Sequence, residues 1–262
     1  MNGTMTNPVK KKLLEGKVSF GSWILVGNPV IAEVMAQAGF DWIAADMEHS
    51  EMDVKAFADM ARGLYGRGPV PMARVRENDT MAIRQVLDAG AWGIIVPMVN
   101  SAAEAERAVR AAKFPPRGIR GTANFRANDH GAQYKDYMAN ANAEILVLVM
   151  METKEGVEAI DEILAVDGVD GVFVGPADLS LSYGIPGQVT HPLMLEARRK
   201  IVASCKRTGK IAGLHEIRMR KECLQEVLRD GFTFVALSTD CIFLDAGAKE
   251  AGRLAKEVEA GA

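Results

Sequence analysis

Short apolar runs alternate with amphipathic segments along the chain. Runs that read as strands lie at 18–25, 41–46, 70–75, 92–97, 145–151, 169–174, 211–214 and 232–238. Between them apolar residues recur three and four apart over 31–38, 54–64, 81–89, 102–112, 157–164, 193–208, 219–229 and 246–258. That is the spacing of one buried helix face. Gly39, Gly66, Gly90, Gly209 and Gly231 stand where helices end, in positions that favour a left-handed residue. Eight strand–helix units in 262 residues are the arithmetic of an α/β fold, the TIM (β/α)8 barrel, with 1–262 as a single domain. A doubly wound open sheet shares the alternation. It is disfavoured because Gly21-Ser22-Trp23 and Gly27-Asn28-Pro29 stand where a glycine-rich dinucleotide turn would be. The longest irregular stretch, 114–132, is long for a compact domain and is read as functional.

Composition narrows the partners. Only 6% of residues are aromatic, so the core must be aliphatic, as in parallel strands covered on both faces. The formal net charge is -3, and no basic cluster beyond Lys10-Lys11-Lys12 offers a footprint for nucleic acid. No apolar stretch approaches the ~20 residues of a membrane span. Residues 1–15 are polar, then basic, without the apolar segment of a secretory signal, so a cytoplasmic protein is expected. Cys205, Cys223 and Cys241 form no C-x-x-C pair and read as small buried hydrophobes in a reducing compartment.

In a barrel the residues just past each strand face the active site. Those positions hold Asp46-Met47-Glu48-His49, Arg74, Glu152, Gly175-Pro176-Ala177-Asp178, His215 and Ser238-Thr239-Asp240. Glu152 and Asp178 follow adjacent strands, whose ~4.8 Å spacing would bring the carboxylates close together. Two such anions want a cation between them, and hard oxygen donors suit Mg²⁺ or Mn²⁺ rather than zinc. The alternative is that each acid caps the helix behind it. The Gly-Pro turn before Asp178 exposes backbone N–H groups that can hold an anion. His49 is the candidate base, since histidine ordinarily changes charge near neutrality, with Asp46 three residues earlier to orient its ring. Arg74 needs a charge partner: an anionic substrate or enolate oxygen, or else a salt bridge to Asp46 or Glu48.

Other chemistries find no support. No lysine stands at the strand ends where a Schiff base would form, Lys154 opening a helix and Lys210 preceding its strand. The loops after the last two strands lack the glycine pair of a phosphate cup, which argues against phosphosugars and flavin mononucleotide. No G-x-S-x-G elbow occurs.

These segments resemble the HpcH/HpaI aldolases, the metal-dependent class II pyruvate aldolases. The resemblance is carried by Gly21-Ser22-Trp23, by Ala38-Gly39-Phe40-Asp41-Trp42 running into Asp46-x-Glu48-His49, and by Val96-Pro97-Met98-Val99. Further segments are Pro115-Pro116-Arg117-Gly118-Ile119-Arg120-Gly121, Met151-Glu152-Thr153 and the run from Gly168 to Ser180. It implies a barrel of the phosphoenolpyruvate/pyruvate type, assembled as a homo-hexamer with active sites near subunit contacts. Glu152 and Asp178 would hold a divalent cation, Mg²⁺ or Mn²⁺ with Co²⁺ as a further candidate, that chelates the carboxylate and keto oxygen of pyruvate. Backbone N–H groups of Ala177 and Asp178 would bind the carboxylate, Arg74 would stabilise the enolate oxygen, and His49 would move the proton. Asp46 and Asp88 would support His49, and Trp23 would line the pocket. The implied reaction is reversible cleavage of a 4-hydroxy-2-oxo acid to pyruvate and an aldehyde.

Two departures from the family pattern bear on specificity. Met150 stands where the family usually has Gln, losing a hydrogen bond to substrate or water. His215 replaces an apolar residue on the aldehyde side, which suggests a turn toward polar or acidic aldehydes. Arg126, in the long loop, is a candidate for an acceptor carboxylate or a plain surface residue. A malyl- or citramalyl-CoA type lyase, an oxaloacetate-type decarboxylase, or a non-catalytic barrel are the rival readings. A coenzyme A enzyme should carry a basic entry, which is not evident, and the intact Arg74, Glu152 and Asp178 argue against a silent barrel.

Overall fold

The computed structural model describes residues 5–261. Eight strands, β1 (Ser19–Ile24), β2 (Trp42–Asp46), β3 (Val70–Arg74), β4 (Gly93–Val96), β5 (Leu146–Met151), β6 (Gly171–Val174), β7 (Ile211–Glu216) and β8 (Phe234–Thr239), pair in parallel and in sequence order. β8 pairs back onto β1, closing the barrel and leaving no sheet edge. The observed strands lie within two residues of the expected ones at every end. Each helical segment read from the periodicity is present, including α3 (Val54–Leu64), α4 (Thr80–Asp88), α5 (Ala102–Ala112), α10 (Pro192–Thr208) and α11 (Lys221–Asp230). Gly209 and Gly231 close α10 and α11 in the left-handed region at φ 66° and 104°, conformations that a Cβ disfavours.

Side-chain alternation sorts the strand residues into two cores. Outward-facing Ile43, Ala73, Ile94, Val147, Val172 and Val235 pack under the helices. Inward-facing Trp42, Met72, Leu148, Phe173 and Phe234 fill the barrel. Trp42 stacks on Phe234 with ring centroids 4.1 Å apart and 5° between planes. The indole fits because Gly21 lies beside it; a Cβ there would stand 2.0 Å from the ring.

The elements the periodicity did not predict are short or lie outside the eight units. α1 (Pro8–Leu14), in the basic N-terminal stretch, inserts Val9 and Leu13 into the inner core from the N-terminal end of the barrel. Lys10 pairs with Asp170 and Lys12 with Asp41, each at 2.7 Å, so these lysines are structural anchors. α6 (Tyr134–Glu144) and a 3-10 helix at Arg126–Gly131 occupy much of the α5–β5 connection. Of the cysteines, Cys205 and Cys223 are buried as expected, whereas Cys241 is exposed. No helix among the described residues is long and apolar enough to cross a membrane.

Candidate active site at the C-terminal mouth of the barrel

The strand period of two decides which side chains enter the mouth. On β2 the inward set is Trp42, Ala44 and Asp46; on β3 it is Val70, Met72 and Arg74; on β7 it is Ile211, Gly213 and His215. Each set is apolar or small inside the barrel and polar at the rim. The adjacent registers Asp46↔Arg74 and Met151↔Val174 bring these rim positions level with their neighbours.

Arg74 is at the centre. Its Nε and Nη2 donate to the two oxygens of Asp46 at 3.0 and 2.6 Å, a bidentate fork. Its Nη1 stands 3.3 Å from Glu48 Oε2 and 3.9 Å from the sulfur of Met150. The guanidinium lies over the Trp23 ring, 5.2 Å from the centroid. Asp46 and Glu48, the alternatives read from the sequence, are therefore the partners of Arg74 in the free protein. Burial alone would push the Asp46 carboxyl up, but the Arg74 fork and the backbone N–H of His49 hold it below the usual carboxylate range.

Asp46 does not orient the His49 ring. Its Oδ1 accepts from the backbone N–H groups of Glu48 and His49 at 3.2 and 3.1 Å, so it shapes the loop that carries the histidine. The ring of His49 is exposed, with Nε2 3.7 Å from Glu48 Oε2.

Glu152 is buried beneath this group. Its Oε1 accepts the backbone N–H of Met98 at 2.6 Å. It does not cap the helix behind it; Thr153 does, accepting from Gly156 N–H at 3.0 Å. Burial raises the Glu152 carboxyl to about 7, with the charges of Glu48 and Asp178 adding to the effect against the Met98 bond. Glu48 is likewise raised by burial, with Asp46 and Asp178 contributing. The charges of Glu48 and Asp178 thus bear on Glu152, while the nearby Arg74 is already paired with Asp46 and Glu48. Asp178 and Ala177 lie in the first turn of α9 (Pro176–Ser182), whose cap residue Gly175 supplies no side-chain acceptor.

The family model for HpcH/HpaI aldolase/citrate lyase matches residues 19–244. The chain belongs to this family. It is 41% identical over 240 residues to the hydroxypyruvate/pyruvate aldolase of Roseobacter denitrificans, covering 91% of this chain and 93% of that protein. It is 36% identical over 240 residues to the 5-keto-4-deoxy-D-glucarate aldolase of Citrobacter koseri, covering 91% and 92%. The crystal structure of a HpcH/HpaI aldolase/citrate lyase family protein from Burkholderia cenocepacia superimposes with a TM-score of 0.90 at 31% identity, over 96% of this chain and 100% of that one. This member of the family is an enzyme of the aldolase type.

Two candidates from this HpcH/HpaI chain's sequence lie away from the mouth. Asp88 ends α4, which runs from the mouth back to the opposite face, and its Oδ1 receives Arg120 Nη2 at 2.7 Å. Within one chain it does not meet His49. Arg126 donates to the carbonyls of Ala89 and Ala61 at 3.1 and 3.0 Å, tying down the ends of α4 and α3. The 114–132 stretch runs from α5 to α6 within the helix-to-strand connection, and its Arg126 ties to the far ends of α3 and α4, which places it at the N-terminal face, where barrels keep stabilising contacts. It therefore does not line the mouth of its own barrel.

His215 faces the mouth, its ring 6.0 Å from that of Trp23. Its Nε2 is 3.2 Å from the carbonyl of Ser238, which can only accept. Burial, together with the nearby Arg74, lowers its pKa to about 4 despite that bond, so the ring is neutral. A neutral ring offers no charge to an acidic aldehyde. Sequence reasoning missed the main-chain roles of Met98 and Ser238, both non-glycine residues with φ above 50°. The only signal was Pro97, which ends β4 by lacking an N–H.

Proposed function

We propose that the protein is a divalent-metal-dependent pyruvate aldolase that reversibly cleaves 4-hydroxy-2-oxo acids to pyruvate and an aldehyde. The observation that supports this reading is that buried Glu152 feels the negative charges of Glu48 and Asp178, while Arg74, the nearby cation, is already paired with Asp46 and Glu48. Such an excess of hard oxygen anions fits Mg²⁺ or Mn²⁺, with Co²⁺ a further candidate. No group of three or more His, Cys, Asp or Glu among the described residues is placed to hold a metal ion, so a cation would have only Glu152 and Asp178 from the protein, with water and substrate supplying most of the shell. A cation held by Glu152 and Asp178 would supply positive charge opposite the carboxylate and keto oxygen of the 2-oxo acid.

The chain's own groups account for the rest. The unpaired first-turn N–H groups of Ala177 and Asp178 would receive the substrate carboxylate. Arg74, held by Asp46, would offer Nη1, which in the free protein stands 3.3 Å from Glu48, to the keto oxygen where enolate charge develops. Cleavage breaks the C3–C4 bond: the 4-hydroxyl proton leaves to His49, the aldehyde departs, and the electron pair becomes the enolate. His49 then returns the proton to C3, giving the pyruvate methyl. Trp23 and Met150 form the apolar wall around Arg74, which strengthens its field.

His215 stands on the acceptor side in this reading. With Nε2–H committed to Ser238, its free Nδ1 is a hydrogen-bond acceptor, which selects hydroxyl-bearing aldehydes over carboxylated ones. A coenzyme A thioester would require a cationic entry, whereas Arg218, on the loop after β7, is paired with Glu216 at 2.7 Å.

The active unit is read as a homo-hexamer. Support comes from α12 (Asp240–Gly261), in which every described residue after Phe243 is exposed. Leu244, Leu254 and Val258 are 68%, 49% and 73% exposed, an apolar content that a lone surface helix would shed.

A deuterium-exchange assay tests the function. Pyruvate methyl protons should exchange in D₂O with Mg²⁺ or Mn²⁺, stop with chelator, and be indifferent to borohydride. Retro-aldol turnover of 4-hydroxy-2-oxo acids, coupled to pyruvate detection, should follow the same metal dependence. Exchange that survives complete metal removal would overturn the proposal.

A further inference from the structure

Among the described residues, four non-glycine positions have a left-handed backbone: Met98, Asp129, His130 and Ser238. Asp129 and His130 belong to the 3-10 turn on the N-terminal face, and Ser238 holds His215. Met98, at φ 54°, lies in the turn between β4 and α5. An L side chain enters this region only at an energetic cost, and such strain persists where the surroundings over-determine it.

The Met98 side chain does not explain the strain, because the residue is 53% exposed. The local sequence explains how it is imposed. Pro97 has no N–H to continue the β4 ladder and restricts Val96 to an extended backbone. Pro97 and Val99, both buried, pin the chain on either side of Met98. A second tie follows at once: Thr153 Oγ1 donates to Asn100 Oδ1 at 2.5 Å, and Asn100 N–H donates to Glu104 Oε2 at 2.6 Å. The β4–α5 turn is therefore fastened to the residue that follows Glu152.

The left-handed turn aims the Met98 N–H at Glu152 Oε1, 2.6 Å away. The other oxygen, Oε2, lies over Gly175, where a Cβ would stand 3.1 Å from it and 2.9 Å from the Met150 methyl. Gly175 opens the turn that carries Asp178. One oxygen of Glu152 is thus occupied by main chain, and the other lies beside Gly175, at the start of the turn that carries Asp178.

We propose that Met98 is a positioning residue: its strained main chain takes Oε1 of Glu152, leaving Oε2 alone to face a cation shared with Asp178. This rests on the reading of Glu152 as a cation ligand. The role belongs to the N–H and to φ, and is independent of the thioether. Met98→Gly keeps both without strain, whereas Met98→Pro removes the donor and forbids the positive φ.

The test is Mn²⁺ binding to the full-length protein without substrate, read from the electron paramagnetic resonance signal of free Mn²⁺. Wild type and Met98→Gly should agree within about twofold. Met98→Pro, with native circular dichroism, should bind about tenfold or more weakly, the scale of one hydrogen bond to a charged group. Glu152→Ala should lose the site. A folded Met98→Pro protein with wild-type affinity would overturn the proposal. Should the proline variant not fold, amide hydrogen exchange decides: the Met98 N–H should be protected in wild type and exposed in Glu152→Ala, and rapid exchange in wild type overturns the proposal. A wild type that binds no Mn²⁺, or a Glu152→Ala protein that binds as well as wild type, sinks the cation reading instead. The Met98 exchange result then still reports the hydrogen bond by itself.

Discussion

His215 gives its Nε2 proton to the carbonyl oxygen of Ser238, 3.2 Å away, from a half-buried position beside Trp23 and Arg74. The neutral ring makes stability depend on pH. Its folded pKa of about 4 lies below the ordinary 6.5, so between these values the unfolded chain binds more protons than the native one. Stability is full above about 6.5 and falls as pH drops toward 4, by up to about 3 kcal/mol for a shift of this size. His215→Leu should flatten that limb in urea unfolding at pH 7.5 and pH 5. It should also reduce the preference in kcat/KM for hydroxylated over carboxylated aldehydes. An unchanged aldehyde ranking would remove His215 from acceptor selection.

Arg74→Lys keeps the positive charge but cannot bridge both oxygens of Asp46. The variant should lose about a hundredfold or more in kcat for retro-aldol cleavage, with a smaller change in KM. Hydrogen exchange at the backbone amides of Glu48 and His49 should quicken, because Asp46 loses the partner that fixes it.

Met150 gives Arg74 Nη1 only a sulfur at 3.9 Å. In Met150→Gln an amide oxygen can accept from the same nitrogen or from substrate. About one hydrogen bond gained in the transition state should raise kcat/KM by roughly tenfold. Steady-state kinetics on one 4-hydroxy-2-oxo acid suffices, and a fall in kcat/KM would show that the thioether is the better wall.

Asn7 joins the barrel floor to α1. Its Oδ1 accepts from Val9 and Lys10 N–H, and its Nδ2 donates to the carbonyls of Trp92 and Glu144. Asn7→Ala should cost about 2–3 kcal/mol in urea unfolding and leave kcat/KM within about twofold, since the floor lies opposite the mouth.

The legible part of the site followed from topology. Once eight strand–helix units imply a barrel, the residues after each strand must share one rim, and Arg74, Glu152, Asp178 and His215 were found from that rule. Asp88 and Arg126 escaped the same rule although it applies to them: a helix end, or a helix-to-strand loop, belongs to the far face. α1 was illegible because seven residues with two apolar positions carry too little periodicity to stand out from a basic tail.

By itself the sequence determined the architecture and the membership of the rim, because both depend on period: 3.6 for helices, two for strands, and alternation between them. Tertiary structure alone decided which rim groups are free. Asp46 is taken by Arg74, His215 by Ser238, and one oxygen of Glu152 by Met98. These pairings join residues distant in sequence, and two of them use main-chain atoms in left-handed turns. No residue type announces a main-chain donor, so the orientation of the site emerges only when the barrel closes.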